Sequence, residues 1–137
     1  MKNLIYPLLL LLLLFTISCG KLKGEFAFQT PEDKGYKINQ NRYEFDITKE
    51  INWIYKFDSM PGKRIKLGVV IMKKEIGWID IVTTSDYIDP MKTIIYGTLK
   101  ELEPGEYKIV IVEPTPEGNK TVDEIEIYLY SDEEVLD

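Results

Sequence analysis

The stretch Leu102-Glu103-Pro104-Gly105-Glu106-Tyr107-Lys108-Ile109-Val110-Ile111-Val112-Glu113, residues 102–113, carries the grammar of the whole chain. Pro104 and Gly105 form a turn: one fixes φ, and the other supplies conformations that a side chain resists. Tyr107 to Glu113 is then aromatic and β-branched, the composition of a strand. The same alternation of turn and strand recurs on both sides. Tyr43, Phe45 and Ile47 alternate with Glu44 and Asp46, and Ile51, Trp53, Tyr55 and Phe57 alternate with Asn52 and Lys56. Ile65, Leu67, Val69 and Ile71 repeat the pattern after the turn cluster Asp58 to Gly62. Period two marks strands with one buried face.

Trp78 to Thr84, Thr93 to Leu99 and Val122 to Tyr130 complete the set, with a weaker first strand at Phe26 and Phe28. Ser85 to Pro90 is expected to break the chain, and Asn119-Lys120-Thr121 to turn it. No segment after the leader shows a helical period. The reading is all-β: an antiparallel sandwich of about seven or eight strands over residues 25–131, with 132–137 as a solvated acidic tail. Periodicity alone leaves a small barrel open. The turn favours the sandwich, because Leu102, Pro104, Gly105 and Tyr107 resemble the Leu-x-Pro-Gly-x-Tyr corner of fibronectin type III and related immunoglobulin-like domains. That resemblance implies that the tyrosine opens a late strand and that its hydroxyl bonds back to the chain just upstream.

The first twenty residues belong to a different kind of segment. Lys2 precedes an apolar run with seven consecutive leucines from Leu8 to Leu14, closing on Ser18-Cys19-Gly20. A charged start, an apolar middle and a small residue before a cut describe an export signal, too short to span a bilayer comfortably. Ser18 and Cys19 resemble the lipobox of bacterial lipoproteins, which implies cleavage after residue 18, acylation of Cys19 and a tether over residues 19–24. Cys19 is the only cysteine, so no disulfide explains it. Two or three acyl chains suffice for stable anchoring, which places the expected protein in the bacterial cell envelope, on the non-cytoplasmic side.

Loss of residues 1–18 removes one lysine and no acid, leaving 119 residues with 16 basic and 23 acidic groups, a formal charge of −7. That balance argues against nucleic acid, which needs a basic footprint. It also argues against a polybasic hold on lipid, so the acyl chains are expected to supply the membrane affinity. The sequence has no histidine, which removes Ser-His-Asp and Cys-His catalysis and histidine-ligated zinc. No cofactor is expected.

The expected function is therefore a non-catalytic binding or scaffolding module with a protein or glycan partner. The alternatives are a carboxylate-based hydrolase, a calcium-dependent binder, or a periplasmic inhibitor of a cationic enzyme on the same fold. Asp80, Asp86 and Asp89 are the candidate calcium ligands, although loop acids in an acidic protein are more often just solvated. Trp53 and Tyr55 share an apolar face and read as core. Trp78 is in phase with Asp80, Val82 and Thr84, and Tyr128 and Tyr130 are in phase with Glu124 and Glu126. These three aromatics are the candidate recognition face, against the plainer reading that another segment covers them.

Replacing Cys19 with serine should leave an exported chain that no longer partitions into detergent. Labelling with a radioactive fatty acid checks this: wild type should carry label and Cys19→Ser none. Label in the variant, or none in wild type, would contradict the anchor.

Overall fold

The computed structural model describes residues 22–38 and 43–132; Cys19 and the leader lie outside the described residues. Eight strands follow one another among the described residues: β1 (Gly24–Gln29), β2 (Glu44–Asp46), β3 (Ile51–Phe57), β4 (Ile65–Lys74), β5 (Trp78–Ile88), β6 (Ile94–Leu99), β7 (Gly105–Thr115) and β8 (Gly118–Tyr130). They form two separate sheets, ordered β1-β3-β6 and β2-β8-β7-β4-β5. The fold is an all-β sandwich and not a barrel, with no helix among the described residues.

Burial follows the period-two pattern in β3, where Ile51, Trp53, Tyr55 and Phe57 all point into the core. Across the core they meet Leu67 and Ile71 of β4, Tyr107, Ile109 and Ile111 of β7, and Ile127 and Leu129 of β8. Aromatic edges fit the gaps: Phe26 lies 4.8 Å from Tyr55 and Phe28 lies 4.8 Å from Phe45. Offset and edge contacts of this kind add to area burial. The fully buried Tyr55 donates its hydroxyl to Asp123 Oδ2 at 3.1 Å, joining β3 of one sheet to β8 of the other. Burial first, and then the Asp123 charge, pushes the phenol well above its usual range. Gly97 is needed here, because a Cβ would sit 2.8 Å from the indole atoms of Trp53.

The corner forms as expected. Tyr107 opens β7, is buried, and donates its hydroxyl to the Glu103 carbonyl at 2.6 Å. Leu102 packs against the core and Pro104 is exposed. Gly105 has φ 153°, where a side chain is rarely found. Lys73 bridges the outside of the corner, pairing with Glu103 at 3.1 Å and Glu75 at 3.2 Å.

Four expectations need correction. First, the larger sheet is not wholly antiparallel, because β2 pairs parallel with β8, Glu44 opposite Tyr128 and Asp46 opposite Tyr130. Second, Ser85 does not break β5, which runs on to Ile88 because each residue still finds a partner on β4 down to Ile65–Ile88. Third, Asn119, Lys120 and Thr121 lie in β8, not in a turn; the chain reverses earlier, with Thr115 Oγ1 donating to the Gly118 carbonyl at 2.6 Å. Fourth, ordered packing begins before residue 25, at the start of β1. Gly24 already pairs with Phe57, the Lys23 carbonyl accepts the Asp58 N–H at 2.9 Å, and Leu22 packs on the core.

Because strands run end to end, the connections collect at two ends of the sandwich. Gly24, Phe57, Ile65, Ile88 and Ile94 share the end at which β1 begins, named the tether end after the expected lipid tether. The corner, Trp78 and Tyr128 share the opposite end.

Tyr107→Phe keeps the ring and orphans the Glu103 carbonyl, so it should cost on the order of 1–3 kcal/mol. Gly105→Ala should also destabilise through its φ. Urea midpoints check both, and unchanged midpoints would contradict the corner.

Candidate functional site

At the end of the sandwich away from the tether, one row of residues crosses the outer face of the five-stranded sheet. Trp78 of β5 is paired with Lys74 of β4. Lys74 Nζ reaches Glu106 Oε2 of β7 at 3.3 Å, and Glu106 is paired with Tyr128 of β8. Tyr128 in turn faces Glu44 of β2. The order across the sheet is thus aromatic, cation, anion, aromatic, anion. Three strand spacings separate the two rings, about 14 Å.

Trp78 projects outward as its phase predicted, and it is half-buried rather than bare. Lys108 Nζ lies 4.8 Å from its ring and Lys74 Nζ 6.0 Å. A cation over an indole face contributes roughly 0.5–1 kcal/mol at an exposed site. Lys108 is also held by Glu124 at 3.5 Å. The indole therefore has a local structural role, fixed in place by two lysines that are themselves tied to carboxylates. Val82 and Thr84 do not share its face as expected. β5 carries one extra residue at Ile81, so Ile71 pairs with Val82 while Met72 pairs with Asp80. Such a bulge reverses the alternation beyond it.

Tyr128 is 38 % exposed, and its N–H donates to the Tyr43 carbonyl at 2.7 Å. Trp78, Tyr128, Tyr43, Lys74, Glu106 and Glu126 line one open cleft of about 370 Å³. Tyr130 is not part of it. It faces a separate hollow of about 610 Å³ with Phe28, Phe45, Asp46 and Lys49. Two of the three expected aromatics therefore come together, and the third does not.

The aspartates do not converge. Asp80 lies on the outer face with Met72, and the bulge leaves Asp86, opposite Leu67, on the other. Asp86 Oδ1 accepts the neighbouring Tyr87 N–H at 2.7 Å, and the Asp89 carbonyl accepts the Lys92 N–H at 3.0 Å. Among the described residues, no cluster of three or more Asp, Glu, His or Cys could hold a metal ion. The acids with shifted titration close turns. The Thr48 N–H and hydroxyl hold Asp46 low, and the Thr30 N–H, Lys37 and the Thr30 hydroxyl hold Asp33 low.

Sequence reasoning missed Lys74, Glu106, Glu126 and Lys108. Glu106-x-Lys108 and Glu124-x-Glu126-x-Tyr128 do show that each strand has a polar face, but only the register places them beside Trp78.

No protein-family model and no curated protein matches the chain. Among solved structures, the chain is similar in fold to the PmoD soluble domain from Methylocystis sp. ATCC 49242 (Rockwell). The TM-score is 0.58 at 9 % identity, over 81 % of this chain and 94 % of that one. A looser likeness, TM-score 0.38 at 11 % identity, links 77 % of the chain to 16 % of a β-glucosidase from Listeria innocua.

In single-tryptophan variants, Trp78 should be quenched by acrylamide several-fold more readily than Trp53, which is 3 % exposed. Equal quenching would contradict the placement of the indole on the outer face.

Proposed function

We propose that this chain is an envelope lipoprotein whose β-sandwich is a non-catalytic binding module, anchored through Cys19 and presenting the Trp78–Tyr128 cleft away from the membrane. The observation that carries this reading is the cross-sheet row from Trp78 to Tyr128. Its two rings offer flat apolar surfaces, and the Lys74–Glu106 pair between them offers a donor and an acceptor at fixed spacing. That combination suits an extended protein segment or a glycan, since aromatic rings supply contact area at little entropic cost and the polar pair sets orientation. Recognition energy concentrates in a few such anchors.

The architecture supports the same arrangement. β5 carries Trp78 at one end and Ile88 at the tether end, so the cleft lies about 33 Å from the anchored end. The neighbouring fold, solved as a soluble domain, is in keeping with a sandwich that stands as a unit beside whatever anchors it.

The test is quantitative capture from envelope extracts and on glycan arrays by the full-length protein on vesicles. Trp78→Ala and Tyr128→Ala should keep the fold and lose on the order of tenfold or more in affinity, the cost of about 2 kcal/mol at an interface anchor. A captured partner held equally well by both variants would contradict the cleft as the recognition site.

A further inference from the structure

The tether end has a chemistry unlike the rest of this acidic chain. Three loops or chain segments meet there by backbone hydrogen bonds: the Lys23 carbonyl accepts the Asp58 N–H at 2.9 Å, and the Pro90 carbonyl accepts the Gly62 N–H at 3.0 Å. The Thr93 carbonyl accepts the Phe57 N–H at 2.8 Å, so residues 58–64 and 89–93 form one continuous surface beside the start of β1. That surface exposes two methionines, Met60 at 55 % and Met91 at 74 %. It also exposes Lys23, Lys63, Arg64 and Lys92 against only Asp58 and Asp89. The β7–β8 hairpin tip adds Glu117 at the same end. Arg64 stacks over Tyr87 with its guanidinium carbon 4.3 Å from the ring, and Tyr87 is itself exposed.

A formal charge of −6 for the chain hides this local excess of cations. The position of the anchor gives the excess a meaning. Leu22 already packs on the core, and the three residue steps from Cys19 to Leu22 reach at most about 11 Å. An acylated Cys19 therefore holds this end within about one Debye length of the headgroups.

We infer that the end formed by Lys23, residues 58–64 and residues 89–93 docks on an anionic phospholipid surface. Met60 and Met91 enter the headgroup layer, and Lys63, Arg64 and Lys92 face lipid phosphates. This deepens the proposed function and rests on the Cys19 anchor. Flexible thioethers adapt to an irregular apolar boundary. Long basic side chains keep their charge at the phosphate level while their stems lie lower, and a tyrosine ring suits that same interface. The acyl chains supply the affinity, and the docked end supplies the orientation. It fixes the Trp78–Tyr128 cleft at the far end of the strands, facing away from the bilayer.

The test uses the full-length, lipid-modified protein in vesicles of phosphatidylglycerol and phosphatidylcholine. A nitrobenzoxadiazole probe is attached in turn to Met60→Cys, Met91→Cys and Ile76→Cys. Ile76 lies at the opposite end and is fully exposed, and an acylated Cys19 leaves the introduced thiol as the only one to react. Probes at 60 and 91 should shift to the blue and be quenched by doxyl-labelled lipid, and the probe at 76 should do neither. Charge reversal by Lys63→Glu, Arg64→Glu and Lys92→Glu together should diminish the shift, as should vesicles of phosphatidylcholine alone.

If the protein floats with the vesicles and carries fatty acid, yet probes at 60 and 91 behave like that at 76, docking is overturned and the anchor stands. Blue shifts that ignore both charge reversal and lipid charge overturn the assignment to anionic headgroups. A wild-type chain that neither incorporates fatty acid nor floats overturns the anchor, and the docking inference falls with it.

Discussion

Tyr55 lies at the centre of the three-stranded sheet with no exposed surface, and its hydroxyl crosses the core to Asp123 on β8. The domain holds no cysteine pair, so packing around this strand keeps the two sheets together. β3 has a partner on each side, and its inward residues Ile51, Trp53, Tyr55 and Phe57 form the floor on which the larger sheet rests. A one-residue slip of β3 would turn all four outward, so its register is strongly determined. Three strands cannot cover five, however. Along most of its length the core therefore ends at β4, where Leu67 and Ile71 are buried while Val82 and Thr84 on β5 are exposed; on β5, Ile88 at the very end is buried in it.

That mismatch explains which parts of the fold could be read in advance. β3 has one buried and one wetter side, so it shows an unbroken period of two and its bounds are plain in the sequence. The corner is equally legible, because its geometry is local: Gly105, Tyr107 and the Glu103 carbonyl lie within five residues. β5 is the opposite case. It overhangs the core, so burial writes no pattern into Ser85, Asp86 and Tyr87, and a polar stretch of strand looks like a break. The bulge at Ile81 compounds this by switching faces midway. Trp78 precedes the bulge and its outward phase was readable, whereas Val82 and Thr84 follow it.

The candidate site was legible only in part, because a cross-sheet row is a property of register. Lys74, Glu106 and Tyr128 lie far apart in the chain, and nothing local to any of them names the others. Tyr130 shows the converse error: it has the same phase as Tyr128 but lies two residues further along β8, beyond the row and lining a separate hollow with Phe28 and Phe45. Strand topology also sorts chemistry between the two ends. The tether end collects the exposed methionines and a local excess of cations, and the far end collects the aromatic row. A whole-chain charge cannot show that division. In the proposed arrangement, the membrane affinity expected of the acyl chains is joined by an orienting surface.

The central proposal is thus a polarity: one end of the sandwich on the membrane, the other presented outward. Neutron reflectometry of the lipid-modified protein on a supported anionic bilayer measures it directly. β8 spans 13 residues along the long axis, so an upright molecule should give a protein layer about 43 Å thick in contact with the headgroups. Two sheets packed about 10 Å apart, with their side chains, would give a layer of only about 25 Å if the molecule lay on its face. The account predicts the thicker layer with no water gap; the thinner layer, or a hydrated gap beneath the protein, would contradict it.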